Sequence, residues 1–183
     1  MTALLSVLHV CTGNICRSPM SERILDGITG EDVFNHGAGI SSFHEGENMQ
    51  ANAMDELESR GFDPDGHRAR HLTRAHIDAS DLILAATTGH LEFMAERFPD
   101  AVAKTFLVRT FGRMATDLAD SLPDGDIAVR GKALVAAAED RRADYDEINL
   151  SDPWGMQRAV YSQIAEQLEE ALRPVALALE SRP

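Results

Sequence analysis

The stretch "VLHVCTGNICRSPM", residues 7–20, places chemically active side chains between an apolar segment and a helical one. Gly13 and Asn14 tolerate the left-handed backbone conformations that turn successive amide N–H groups toward one point. The following helix adds the positive end of its dipole, and Arg17 adds a planar fork that can bind two oxygens of one anion. The loop therefore predicts a phosphate site with Cys11 at its mouth.

Cys11 is predicted to be a nucleophile, because amides, a helix N-terminus and a guanidinium all favour a thiolate. The hydroxyl of Ser18 can donate to the same sulfur. A thiolate beneath a phosphoryl group predicts attack at phosphorus, a covalent phosphocysteine and its hydrolysis by water. Negative charge develops on oxygens that already face donors, so electrostatic stabilisation is expected to contribute most.

The alternative is that Cys11 and Cys16 are small buried hydrophobic residues and that Arg17 is a surface cation. The Cys-x5-Arg spacing alone does not decide between the two interpretations. The phosphate site is favoured because the spacing occurs between a strand and a helix and together with four further residues of the loop, namely Gly13, Asn14, Ser18 and Pro19.

A proton donor for the leaving oxygen is predicted at Asp152, in "SDPWGM". Pro153 keeps the preceding residue extended, an aromatic residue follows, and a helix begins soon after. Asp144, Asp146 and Glu147 are close in sequence but lack this rigid setting. The alternative for Asp152 is a turn or helix-capping aspartate.

The elements that position these residues read as a single α/β domain over residues 1–183, because short apolar runs alternate with helical periodicity. We expect a parallel sheet with helices on both faces. The predicted strands are residues 4–10, 33–36, 81–86 and 104–108. The first predicted helix starts near Met20, and further helices are predicted over residues 49–59, 88–98, 128–142 and 160–179. Thr87 or Thr88 is expected to cap the helix over 88–98. Pro174 is expected to kink the last helix or end it early.

Composition excludes several classes of function. The net charge of −13 disfavours nucleic acids and anionic membranes as partners. We expect a cytosolic protein, because neither a signal sequence nor a membrane-spanning segment is evident. Two cysteines are too few for a disulfide framework or a thiolate zinc site. His67 and His71 have helical spacing but no acidic partner, so we expect a structural or solvated role and no metal or cofactor.

The motif "CTGNICRSPM" together with the late "DPW" resembles the low-molecular-weight protein tyrosine phosphatases. The similarity extends through "GHRARHLT" and "SDLILAA". The resemblance implies a compact four-stranded parallel sheet flanked by helices, of the Rossmann-like phosphotyrosine phosphatase I type. It also implies no metal and a cysteinyl-phosphate mechanism.

The resemblance assigns roles to individual residues. Cys11 matches the nucleophile, Arg17 the phosphate-binding arginine and Asp152 the general acid. Ser18 matches the hydroxyl that supports the thiolate, and Asn14 the residue that shapes the loop. The expected substrate- and phosphate-binding set combines the loop with two aromatic walls: Thr12, Gly13, Asn14, Ile15, Cys16, Ser18, Phe43 and Trp154.

Substrate choice and redox behaviour are also implied by the resemblance. Relatives that act on phosphoarginine have threonine where this chain has Ile15, so phosphotyrosine is the preferred substrate. Cys16 matches a cysteine that can form a reversible disulfide with the nucleophile, although it could simply pack. Phe43 and Trp154 could likewise be buried apolar anchors instead of walls beside the substrate ring.

The chain departs from the family pattern in several places, among them Gly37 and the segment from residue 120 to 149. Gly37 occupies the place of a serine that often holds the loop asparagine, so we expect His67 and Ser18 to bond to Asn14 instead. The segment from residue 120 to 149 is long and acidic; solvation is the favoured interpretation, with a flexible flank or a partner surface as alternatives.

The sequence therefore predicts a monomeric phosphatase that acts on phosphotyrosine in proteins and releases inorganic phosphate. The alternatives are a protein arginine phosphatase and a non-catalytic module that binds phosphate or a phosphorylated protein.

Overall fold

The computed structural model describes residues 4–180, so the ends of the predicted domain, residues 1–3 and 181–183, lie outside the described residues. Four parallel strands form one sheet in the order β2-β1-β3-β4. The strands are β1 (Leu5–Cys11), β2 (Val33–Gly39), β3 (Leu82–Ala85) and β4 (Thr105–Leu107). The predicted fold class is confirmed.

Seven helices connect and cover the strands within the described residues. They are α1 (Arg17–Thr29), α2 (Ala51–Ser59), α3 (Arg74–Asp78), α4 (Thr88–Arg97), α5 (Val108–Leu118), α6 (Ile127–Asp140) and α7 (Arg158–Leu179). Thr87 is the N-cap of α4, as the sequence predicted. No helix within residues 4–180 is long and apolar enough to cross a membrane.

The side chains of β1 point alternately to the two faces of the sheet, which explains why helices lie on both faces. Leu5 and Val7 pack with α1, α5 and α7, whereas Leu8 and Val10 pack with α3 and α4 on the opposite face. All four side chains are fully buried. Successive side chains of a strand point to opposite faces, so an uninterrupted apolar strand needs cover on both.

The last helix, α7, runs through Pro174 to Leu179. The prediction that the proline ends this helix early is therefore wrong. Proline removes one backbone donor, but Leu172, Val175 and Leu179 on the same helix remain fully buried. The packing of this apolar face holds the last turns in place.

Helix α6 lies across the edge of the sheet where the strands begin. A Cβ added at Gly131 would lie 2.6 Å from Leu5 Cδ1, at the start of β1. Lys132 Nζ lies 3.7 Å from Asp81 Oδ1, just before β3. Arg130, Leu134 and Ala138 are fully buried. Solvation was the favoured interpretation of residues 120–149, and for this helix it is wrong because its inner face completes the core.

The chain then returns to the opposite edge of the sheet along α5. The hydroxyl of Thr110 donates to Asp146 O at 3.1 Å and accepts from Ile148 N at 3.0 Å. Leu150 N donates to Ala86 O at 2.8 Å, directly after β3. These bonds bring the Asp152 segment to the carboxyl edge of the sheet, where β1 ends.

Candidate active site

The loop of residues 11–17, called here the anion loop, joins β1 to α1 and is shaped by Asn14. Asn14 has a φ of 56°, the single positive value at a non-glycine residue within residues 4–180. Its Nδ2 donates to Ser18 Oγ at 2.8 Å, and its Oδ1 accepts from Arg70 N at 3.0 Å. His67 Nε2 donates to the Asn14 carbonyl at 2.7 Å. Both expected partners, Ser18 and His67, therefore contact Asn14.

The sulfur of Cys11 lies within reach of two donors. Asn14 N–H points to it at 3.3 Å, and Ser18 Oγ lies 3.0 Å away. Because Ser18 Oγ already accepts from the Asn14 amide, its own proton is free to point at the sulfur. Both donors stabilise negative charge on sulfur, which is the form that acts as a nucleophile.

Two glycines of β2 let the anion loop approach the sheet. A Cβ at Gly39 would lie 2.6 Å from Thr12 O, which is too close for any side chain. A Cβ at Gly37 would lie 2.8 Å from Asn14 Nδ2 and 2.6 Å from Glu22 Oε2. Glu22 thus fills the space beside Asn14, which explains why this chain has no serine there.

Arg17 closes the loop and is only 5 % exposed. Its Nη2 donates to Asp152 Oδ2 at 2.9 Å, and its Nη1 donates to Leu150 O at 3.3 Å. Its Nε is buried and finds no hydrogen-bond partner within the described part of the chain. A buried guanidinium N–H without an acceptor is costly. It marks a position where an anionic oxygen would be stabilised.

Asp152 is held by both of its carboxylate oxygens. Oδ2 accepts from Arg17, and Oδ1 accepts from Trp154 N at 3.2 Å. Its side chain remains 51 % exposed. The N-cap of α7 is Gln157, so the alternative role of Asp152 as a helix cap does not apply.

A cavity of about 250 Å³ opens between the anion loop and the Asp152 turn. It is lined by Cys11, Thr12, Gly13, Ile15, Cys16, Arg17, Ser41, Phe43, His44, Asp152 and Trp154. Ile15 is buried, whereas Phe43 and Trp154 are 81 % and 58 % exposed at the rim. The interpretation of these two aromatic residues as buried anchors is therefore wrong.

Sequence reasoning missed His44, whose ring stands between the two aromatic side chains. Its centroid lies 4.9 Å from that of Phe43 and 6.1 Å from that of Trp154. Its Nδ1 is 2.9 Å from Glu47 Oε2. In the sequence, His44 is a histidine in a glycine-rich loop, and nothing in its spacing indicates this contact.

Cys16, in the anion loop and the N-cap of α1, is 3 % exposed. Its sulfur is 3.6 Å from the hydroxyl of Tyr161 on α7. Burial raises the pKa of the Cys16 thiol to about 12, although the contact with Tyr161 acts in the opposite direction. Cys16 is therefore a neutral thiol near neutral pH.

Comparisons with known proteins identify the family of the chain. The family model described as low molecular weight phosphotyrosine protein phosphatase matches residues 6–130. Asp152 and Trp154 lie beyond the match and are placed by the geometry alone.

Two relatives illustrate the range of the similarity. A protein-arginine-phosphatase of Geobacillus stearothermophilus is 38 % identical over 122 residues, which are 67 % of this chain and 76 % of that protein. A low molecular weight protein-tyrosine-phosphatase of Streptomyces coelicolor is 36 % identical over 112 residues, 57 % of this chain and 68 % of that one.

Solved structures extend the similarity to nearly the whole chain. The YwlE arginine phosphatase from Geobacillus stearothermophilus superposes with a TM-score of 0.72 at 28 % identity, covering 94 % of this chain and 90 % of that one. The tyrosine phosphatase Wzb from Escherichia coli K30, in complex with sulphate, superposes with a TM-score of 0.71 at 26 % identity. The match covers 95 % of this chain and 97 % of that one. The chain belongs to the low molecular weight phosphotyrosine protein phosphatase family.

Proposed function

We propose that the protein hydrolyses phosphotyrosine in proteins through a cysteinyl-phosphate intermediate and releases inorganic phosphate. One observation carries the proposal: the Cys11 sulfur and the Asp152 carboxylate line one cavity, on either side of a guanidinium whose Nε has no partner within residues 4–180. A phosphoryl group in that cavity would have a nucleophile, an anion-binding fork and a proton donor.

In the first step, the Cys11 thiolate attacks phosphorus and the bond to the leaving oxygen breaks. Arg17 and the amides of the anion loop hold the equatorial oxygens, where charge develops. Asp152 gives its proton to the leaving oxygen. The phosphoryl dianion competes with Asp152 for Arg17, which frees the carboxyl group to contact the leaving oxygen.

In the second step, a water molecule takes the place of the leaving group. Asp152, now ionised, accepts a proton from that water, whose oxygen attacks phosphorus while the S–P bond breaks. Cys11 leaves as a thiolate, stabilised by Asn14 N–H and the Ser18 hydroxyl. Inorganic phosphate is the product.

The cavity wall supports an aromatic leaving group. Ile15, Phe43 and Trp154 offer apolar surface, and Asp152 is the one acidic residue among the described lining residues. A phosphoarginine side chain carries a guanidinium, for which the isoleucine at position 15 supplies no hydrogen-bond partner. Phosphotyrosine is the substrate that this wall fits.

The second candidate is protein arginine phosphatase activity. It is favoured by the 38 % identity to the relative that bears this name. Matched peptides carrying phosphotyrosine, phosphoarginine or phosphoserine, assayed side by side, separate the two activities. We expect the highest kcat/KM on phosphotyrosine, and Ile15→Thr is expected to lower this preference.

The test of the mechanism is Cys11→Ser. We expect this variant to lose turnover while it still binds vanadate, an analogue of phosphate. Full activity in Cys11→Ser would contradict the assignment of the nucleophile. Tight vanadate binding by the wild type without any release of leaving group would favour the non-catalytic binding module. A cytosolic location and a monomeric state are part of the proposal and rest on the sequence alone.

A further inference from the structure

His90, on the first turn of α4, is a buried residue that the mechanism above does not use. It is 3 % exposed. Its Nδ1 lies 3.1 Å from Thr87 N and 2.9 Å from Thr87 Oγ1, and its Nε2 lies 3.0 Å from Thr12 Oγ1. His90 therefore joins the N-terminus of α4 to the first residue of the anion loop after Cys11.

These contacts fix which nitrogen carries the proton. A backbone N–H can only donate, so Nδ1 of His90 must accept from Thr87 and the proton lies on Nε2. Burial lowers the pKa of His90 to about 4, which keeps the ring neutral near neutral pH and preserves this tautomer. Nε2–H therefore donates to the hydroxyl oxygen of Thr12.

The hydroxyl of Thr12 is also approached by Arg17. Arg17 Nη2 lies 3.4 Å from Thr12 Oγ1 and can only donate. With donors on both lone-pair sides of the oxygen, the Thr12 hydroxyl proton must point away from His90 and Arg17. Thr12 is exposed and lines the cavity, so the cavity is open to that proton.

We propose that His90 is a positioning residue that aims the Thr12 hydroxyl proton at the oxygen apical to the Cys11 sulfur. That oxygen is the leaving oxygen in the first step and the attacking water in the second. Arg17 Nη2 touches both Thr12 Oγ1 and Asp152 Oδ2, so the two side chains flank the same part of the cavity. This inference rests on the proposed phosphatase function.

The chain offers a matched control at the start of α3. Thr73 N lies 3.1 Å from His76 Nδ1, and Thr73 Oγ1 lies 3.0 Å from it, the same capping arrangement as at Thr87 and His90. His76 lies outside the cavity lining. Substituting His76 thus removes the cap and a ring contact with His36 but no contact with Thr12, whereas substituting His90 removes the cap and the bond to Thr12.

The experiment compares His90→Leu with His76→Leu in steady-state kinetics on an aryl phosphate. We expect His90→Leu to lower kcat about tenfold, the effect of one transition-state hydrogen bond, with KM unchanged. His76→Leu keeps the wild-type kcat. His90→Gln, whose amide can accept from Thr87 and donate to Thr12, is expected to recover most of the lost kcat.

A double-mutant cycle with Thr12→Val tests the pair directly. Because His90 acts through Thr12, we expect the double variant to be no slower than Thr12→Val alone. If the loss of kcat in the double variant equals the product of the losses in the two single variants, the inference is overturned. Equal kcat values for His90→Leu and His76→Leu would also overturn it. In both cases an active wild type leaves the proposed function standing. A wild type without turnover would overturn the proposed function as well.

A spectroscopic measurement on the wild type avoids variants that fold poorly. A long-range ¹H–¹⁵N spectrum of the imidazole reports which ring nitrogen carries the proton. We expect it on Nε2 of His90 at neutral pH. A proton on Nδ1 would overturn the inference.

Discussion

The guanidinium of Arg17 donates to the carboxylate of Asp152 at 2.9 Å, although 135 residues separate the two in sequence. Arg17 is buried and Asp152 is half exposed, so the arginine is the fixed partner and the aspartate the one that water can reach. A phosphoryl group needs the same donors. We therefore expect the ion pair to be the resting arrangement and substrate binding to replace the carboxylate with phosphoryl oxygens.

Asp152→Asn removes the transferable proton while keeping the shape of the side chain. We expect kcat/KM to fall by roughly 10²-fold or more for alkyl-like, poor leaving groups, and much less for an aryl phosphate that leaves readily. The measurement is the dependence of kcat/KM on leaving-group pKa, because kcat/KM reports the step in which the leaving oxygen is protonated. Asp144→Asn, at an exposed pair with Arg141, is the control. An unchanged leaving-group dependence in Asp152→Asn would exclude a role as general acid.

Gly39→Ala is expected to distort the anion loop. The added Cβ would lie 2.6 Å from Thr12 O, a backbone atom that cannot rotate away. We expect kcat and vanadate affinity to fall together by about tenfold or more, because the loop amides lose their alignment with the phosphoryl oxygens. Gly66→Ala, where a Cβ meets nothing within 4 Å but φ is positive, controls for backbone strain alone. Equal effects in the two variants would rule out the contact as the cause.

Cys16 is predicted to protect oxidised Cys11, as a hypothesis based on their positions in the same loop. After hydrogen peroxide converts Cys11 to a sulfenic acid, the Cys16 thiolate attacks its sulfur, forms a disulfide and displaces hydroxide. Since the pKa of Cys16 is raised to about 12, disulfide formation should accelerate about tenfold per pH unit below that value.

The test is recovery of activity by dithiothreitol after peroxide treatment. We expect Cys16→Ser to recover less than the wild type, and Tyr161→Phe to form the disulfide more slowly, because Tyr161 lowers the pKa of Cys16. Equal recovery in Cys16→Ser and the wild type would leave packing as the role of this thiol.

Arg130 is expected to stabilise the fold and to have no effect on catalysis. It is fully buried, and its guanidinium donates to Ala178 O at 3.0 Å and Pro123 O at 2.7 Å. Arg130→Leu leaves these carbonyls without donors, so we expect a loss of about 3 kcal/mol in the free energy of unfolding, with kcat unchanged. Lys132→Leu, on the exposed side of the same helix, is the control and should cost less than about 1 kcal/mol. Chemical denaturation measures both.

His9 is predicted to make the protein less stable in acid. It is fully buried between Ser21 and Asn35, and burial lowers its pKa to about 4. The unfolded chain, with a histidine pKa near 6.5, therefore binds more protons as pH falls from 6.5 to 4. The contribution of His9 to the free energy of unfolding is therefore fully present above pH 6.5, and up to about 3 kcal/mol is lost as pH falls from 6.5 to 4. His36 and His90, whose pKa values are also about 4, act in the same direction.

Glu22 opposes this effect. Burial raises its pKa to about 7, so the folded state binds the extra proton between pH 7 and 4.5 and gains stability as pH falls. We expect Glu22→Gln to steepen the loss of stability in acid and His9→Gln to make it shallower. Urea unfolding between pH 4 and 8 measures how the free energy of unfolding of each variant depends on pH. Parallel curves for the wild type, Glu22→Gln and His9→Gln would show that neither residue causes the pH dependence.

Much of the fold followed from local patterns. The four strands were predicted to within three residues at each end, because buried strands of a parallel sheet are short and continuously apolar. The anion loop was recognisable because Gly13, Asn14 and Arg17 lie within a few residues of Cys11. Asp152 depended on the family resemblance, since nothing local distinguishes it from other aspartates in turns.

Residues whose roles depend on distant partners were not found. His90 looks like a helix-capping residue until β1 and α4 are placed side by side. Arg130 reads as a surface cation because the carbonyls that receive its protons come from α7 and from the turn before α6. The early end predicted at Pro174 was wrong because the packing of α7 outweighs one missing hydrogen bond.

The position of α6 separates two tasks of the molecule. This helix seals the edge of the sheet where the strands begin, and the chemistry occupies the edge where they end. A binding reagent that recognises the exposed side of α6 would therefore leave the route of a phosphorylated protein to the cleft unobstructed.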